Sequence, residues 1–167
     1  MLATVGPASA TVAPQHAGKY CATIVSKDLD ARGLSKVLGT SCSAVSAEAA
    51  YRQAATAKGG VQTTASIVSL AASTLLLNEY TDAVYNGGVL YTFYGSSGTC
   101  DSTGYRLTNY SSVGDVTSSI TGYNNCNRAR IQGYYSTAEQ IFTLNVSNLG
   151  STYNDNDNVY IVRTYHA

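Results

Sequence analysis

The pattern of apolar and polar positions changes once along this chain. Residues 19–26, KYCATIVS, alternate in a strand-like way, and VLGTSCS at 37–43 supplies a second short strand after the polar stretch Lys27 to Lys36. Ser46 then opens SAEAAYRQAATAK, an Ala-rich helix with Glu48 in its first turn and Lys58 in its last. Those charges complement the helix dipole, and Gly59-Gly60 ends the run. Alanine favours helix but buries little area, so this helix must lean on another element. Residues 61–74 read as a connector or an irregular strand. From Leu75 onward come LLLNEY (75–80), VLYTFYG (89–95), YRLTNY (105–110), SSITGY (118–123), ARIQGYY (129–135), IFTLNV (141–146) and VYIVRTY (159–165), separated by Gly, Asn, Ser and Asp clusters. Short strands at this spacing predict a mainly β sandwich or barrel with Greek-key connections.

Composition narrows the class. The 167 residues are 44% hydrophobic, enough to build a core, and only 12% charged. Ser, Thr, Asn, Gly and 14 Tyr take the place of the missing charge, a composition common in extracellular β-rich proteins. Basic and acidic residues balance at zero net charge, and no Lys/Arg run occurs. That argues against nucleic-acid binding, which begins with clustered basic groups. No apolar run approaches the ~20 residues that span a bilayer as a helix.

Cysteine spacing points to export. Cys21, Cys42, Cys100 and Cys126 form no C-x-x-C pair, and His16 and His166 lie near the chain ends, a poor pattern for zinc. Two disulfides fit better. Pairing Cys21 with Cys42 and Cys100 with Cys126 keeps each bridge within one region, although four cysteines allow three pairings. Disulfides imply an oxidising compartment, so the chain is expected to be secreted. Residues 1–17, MLATVGPASATVAPQHA, read as a signal-peptide remnant cleaved after Ala17 or as a flexible tail. The expected organisation is that tail, a disulfide-clipped segment over 18–73 containing the short helix, and a β domain over 74–167 that folds without it.

Two local patterns carry a resemblance. Tyr80-Thr-Asp-Ala-Val-Tyr85-Asn-Gly87 places aromatics five apart with Gly two further on, and Gly114-Asp-Val-Thr-Ser-Ser119 precedes the strand SSITGY. Together they resemble the first Greek-key motif of a βγ-crystallin, whose signature is aromatic-x4-aromatic-x-Gly with a Ser closing over the folded hairpin. A second, looser copy runs from Tyr134/Tyr135 through Phe142 to Asn154-Asp-Asn-Asp-Asn-Val159. It lacks the hairpin Gly, and the first copy carries an insertion, Ser96 to Gly104, that holds Cys100 and is expected to be tied down by Cys126. The resemblance covers roughly residues 74–167 and extends to secreted bacterial members with a cysteine-bearing N-terminal segment. It implies a two-motif Greek-key sandwich.

Many members of that family bind Ca²⁺ through [N/D]-[N/D]-x-x-[S/T]-S loops. The corresponding residues here imply Asp115, Ser118, Asn154, Asp155 and Asn158 as side-chain ligands of a weak Ca²⁺ site. Ca²⁺ takes six to eight oxygens, and both loops offer several. Solvated turns explain the same residues without metal, since Asn and Asp favour tight turns.

Nothing in the sequence assembles a catalytic group. The ten acids are scattered, the two His are terminal, and no G-x-S-x-G, P-loop or H-E-x-x-H occurs. The expectation is a secreted non-enzymatic module, binding or structural. The alternative is a protein-binding module (a protease inhibitor, a toxin or a component of a secreted assembly), with the clipped N-terminal segment as the docking element.

Overall fold

A strand covered on both faces need not alternate, and every residue from Cys21 to Ser26 is buried. These residues lie in β1 (Tyr20–Leu29), the second strand of a five-stranded sheet. The computed structural model describes residues 20–56, 73–86, 89–107, 117–133, 139–153 and 159–167. After β1 come β2 (Ser35–Ser43), α1 (Ala47–Thr56), β3 (Thr74–Tyr80), β4 (Val89–Gly95), β5 (Ser119–Gly122), β6 (Arg128–Gly133), β7 (Glu139–Thr143) and β8 (Val159–Tyr165), with one short 3-10 turn at Ala83–Tyr85. The protein is mainly β, as its pattern predicts.

The larger sheet runs β2-β1-β4-β3-β5 and the smaller β7-β6-β8. One local plan occurs in both. β3 lies between antiparallel β4 and β5, and β6 between antiparallel β7 and β8. Each plan is then touched by the other half of the chain: Ile120 of β5 bridges Val146, and Tyr105 bridges Thr164 of β8. The described residues of the run 105–110 contribute this single bridge at Tyr105 rather than a strand of either sheet.

The main core gathers side chains from both sheets. Leu76, Leu77, Tyr91, Phe93 and Ile120 come from the larger sheet and Ala129 and Ile131 from the smaller, joined by Leu107, Leu149 and Tyr153. Each large apolar side chain buried this way contributes roughly 1.5–3 kcal/mol. Cys21 and Val25 of β1 belong to the same cluster. β1 pairs in parallel with β4, Cys21 opposite Tyr91, so segments 18–73 and 74–167 share one sheet.

Helix α1 covers the other face of β1. Ser46 caps it, its Oγ accepting the Ala49 amide at 3.0 Å, and Glu48 pairs with Arg52 one turn on. Ala54 packs with Ile24, and Tyr51 stacks on Tyr94 at 4.2 Å between ring centroids. Gly39 of β2 lies so close that a Cβ there would collide with the Ala54 carbonyl. Small residues on both elements are what let this short helix dock. Its described residues run to Thr56; Lys58 and Gly59-Gly60, like the connector to 72 and the segment 1–17, lie outside the described residues.

Both disulfides follow the region-by-region pairing, Cys21–Cys42 and Cys100–Cys126, and no cysteine is free. Cys21 and Cys42 face each other directly across β1 and β2. Cys126 ties down the insertion that carries Cys100, and the Cys100 amide donates to the Asn124 carbonyl at 3.1 Å. Closing loops with sequence separations of 21 and 26 contributes about 3 kcal/mol each.

Candidate functional site

The aromatic-and-glycine motif folds into a turn closed from across the sheet. The Tyr80 and Tyr85 rings meet edge to face at 5.7 Å. Ser118 and Ser119, buried at the start of the β5 segment, reach back over the turn. Ser118 Oγ donates to the Thr81 carbonyl at 2.6 Å, and Ser119 Oγ donates to the Asp82 carbonyl at 2.7 Å while accepting the Tyr85 amide at 3.1 Å. Val84 and Tyr85 both have positive φ, 59° and 60°, costly for non-glycine residues and held here by those bonds. Gly87 lies outside the described residues.

Of the five candidate Ca²⁺ ligands, Asp115, Asn154, Asp155 and Asn158 also lie outside the described residues. Ser118 is 1% exposed, and its hydroxyl is engaged with the Thr81 carbonyl. Among the described residues, no three His, Cys, Asp or Glu side chains are grouped to hold a metal.

One acid sits where sequence reasoning did not put it. Glu79 of β3 is fully buried, opposite Tyr91 on one side and Ile120 on the other, and its Oε2 accepts from Thr117 Oγ1 at 3.1 Å. The signal was in LLLNEY: Leu77 and Glu79 stand two apart, so a strand turns both to one face. This carboxylate anchors Thr117, the residue just before the two serines that close the turn.

The structure also assembles a cluster with no local trace in the sequence. Arg32, Arg106, Arg130 and Arg163 line one cleft of about 330 Å³ with Gly33 and Leu34. Arg32 stands on the β1–β2 turn, shaped by Asp30: its carboxylate accepts the Arg32 and Leu34 amides at 2.8 and 3.0 Å and pairs with the Arg32 guanidinium at 2.9 Å. The Leu34 amide, the Arg32 guanidinium and the Arg32 amide together hold the Asp30 carboxyl below the usual carboxylate range. Arg106 is fixed by reciprocal bonds with Ser35, its amide to Ser35 Oγ at 3.0 Å and its carbonyl to the Ser35 amide at 2.9 Å. Arg130 and Arg163 are direct cross-strand partners on β6 and β8. Arg130 pairs with Glu139; Arg163 lies over the Tyr165 ring at 4.5 Å and donates to the Thr103 and Ser102 carbonyls.

An apolar cleft of about 110 Å³ adjoins this one, sharing Arg32, Leu34 and Arg106 and floored by Val25, Phe93 and Leu107. Beside the Cys100 loop, Lys27 binds Asp101 at 2.6 Å. That hydrogen bond, with the Gly104 amide, brings the Asp101 carboxyl down to about 2. No helix among the described residues is long and apolar enough to cross a membrane. Compared with known proteins, the chain matches no family model, no curated protein and no solved structure.

Proposed function

We propose that this protein is a secreted, non-enzymatic module of βγ-crystallin type, serving as a disulfide-stapled extracellular scaffold with weak Ca²⁺ binding. The observation that carries the reading is the closure of the Tyr80–Tyr85 turn by Ser118 and Ser119. It is what the aromatic-x4-aromatic-x-Gly resemblance requires of those positions. Support also comes from the common plan of the two sheets and from the reciprocal bridges at Ile120–Val146 and Tyr105–Thr164, as in two Greek keys that exchange a strand. The two disulfides fit an oxidising compartment.

Calorimetric titration with Ca²⁺, paired with melts in Ca²⁺ and in chelator, tests the metal part. Ca²⁺ at ~100-fold over Kd should contribute about 2.7 kcal/mol, and Asp115→Ala or Asp155→Ala should abolish the gain. A melt unchanged by millimolar Ca²⁺ removes Ca²⁺ from the reading and leaves the scaffold.

Protein binding through the N-terminal hairpin is the second reading. β2 is an edge of the larger sheet, and Val37 on it is 53% exposed. Edge strands offer unpaired backbone groups to a partner strand. Co-purification of a partner with the wild-type chain but not with Val37→Lys tests it.

A further inference from the structure

From the arginine cleft we infer that this protein binds a small amphiphilic oxyanion: a sulfate, phosphate or carboxylate head among Arg32, Arg106, Arg130 and Arg163, with an attached alkyl or aryl group against Leu34 and Leu107. The inference is independent of the crystallin reading and of Ca²⁺. The chain is neutral overall, yet four of its six arginines converge on one cleft from four separate segments. Two of them stand directly opposite each other on β6 and β8, where like charges repel. A sheet gains nothing in stability from that pairing, and such conflicts mark functional positions.

The cleft keeps positive charge to offer. Among the described residues, the ion pairs of these four arginines are with Asp30 and Glu139 alone. Arg106 donates to the Gly33 carbonyl at 3.3 Å, and Arg163 to two loop carbonyls; among the described residues neither is neutralised by a carboxylate. Planar guanidiniums held by backbone carbonyls are oriented donors, suited to two-point contact with an oxyanion. A concave site of one sign of charge also concentrates counter-ions. The apolar cleft shares Arg32, Leu34 and Arg106 with the cationic one, so a ligand seated on the charges extends an apolar part toward Phe93 and Leu107. An inorganic anion would leave that second cleft unused, and a neutral apolar ligand would leave the first.

Displacement of anilinonaphthalene sulfonate fluorescence tests this with the full chain and monomeric ligands. Octyl sulfate should displace the probe at least tenfold more effectively than octyl glucoside, which has the same tail, and more effectively than inorganic sulfate. Arg106→Gln should weaken octyl sulfate at least fivefold, whereas Arg52→Gln, on α1, should not. Glu139→Gln, which frees Arg130 from its carboxylate, should tighten binding. Octyl sulfate and octyl glucoside of equal potency, or Arg106→Gln indistinguishable from Arg52→Gln, would overturn the proposal. Co-sedimentation with phosphatidylglycerol vesicles, against phosphatidylcholine, identifies the source: Arg106-dependent pelleting assigns the head group to a membrane lipid, and its absence assigns it to a free amphiphile.

Discussion

Ser119 Oγ accepts the Tyr85 amide and donates to the Asp82 carbonyl, joining β5 to a turn 34 residues earlier in the chain. Ser119 is completely buried, so its hydroxyl takes its partners from these two backbone groups of the turn rather than from bulk water. Ser119→Ala should cost about 1–3 kcal/mol, read as a fall in melting temperature of several degrees with unchanged far-ultraviolet circular dichroism. A melt identical to wild type would show that the turn closes without the hydroxyl.

Gly39 tests how the helix docks. A methyl group there meets the Ala54 backbone carbonyl, which cannot rotate away as a side-chain tip could. Gly39→Ala should therefore lift α1 from β2 and lower stability by about 1–3 kcal/mol. Exposure of Tyr51, which stacks on Tyr94, should rise with it and appear in tyrosine fluorescence quenching.

Stability should fall at both extremes of pH for different reasons. The Asp101 carboxyl, lowered to about 2 chiefly by Lys27, is easier to ionise folded than unfolded. Its stabilisation is complete above the unfolded value near 4 and is lost as pH drops toward 2. Tyr105 goes the other way. Burial, then the Asp101 charge, raises its hydroxyl to about 12, so the folded state holds the proton more tightly. That contribution is full below pH 10 and is lost as pH rises to 12. Melts across pH 2–5 should flatten in Asp101→Asn, and melts across pH 9–12 should flatten in Tyr105→Phe.

Removing residues 1–73 tests whether 74–167 folds alone. β1 covers β4 in the sheet and places Cys21 and Val25 in the main core. Residues 74–167 expressed alone should melt many degrees lower than the full chain, or without a cooperative transition. A cooperative β-type melt at the full-chain temperature would show that β1 adds nothing to the core.

The strands and the helix were largely legible because their signals are local. Period-two alternation, Ser46 as a cap and Gly, Asn and Ser clusters act within a few residues. The cysteine pairing was readable for a related reason: each bridge closes a loop of modest length inside one region. Glu79 was legible in principle, since the strand register that buries Leu77 also buries the acid two positions on, but an acidic residue is usually assigned to solvent. In the strand-like run that starts at Tyr105, the bridge among the described residues is to Thr164, 59 positions away, a partner that local pattern does not reveal.

By itself, the sequence determined the mainly β class, the number and order of most elements and the simplest of three cysteine pairings, while the resemblance singled out the serines that close the first turn. Only the tertiary structure decided that β1 enters the sheet parallel to β4 and that Arg32, Arg106, Arg130 and Arg163 share one cleft. The reason is physical. Local pattern fixes which face of an element is apolar, whereas neighbours are chosen by how those faces can be covered together. A chain with no basic run therefore has a concentrated positive site, because packing two sheets brings four separate segments to the same edge.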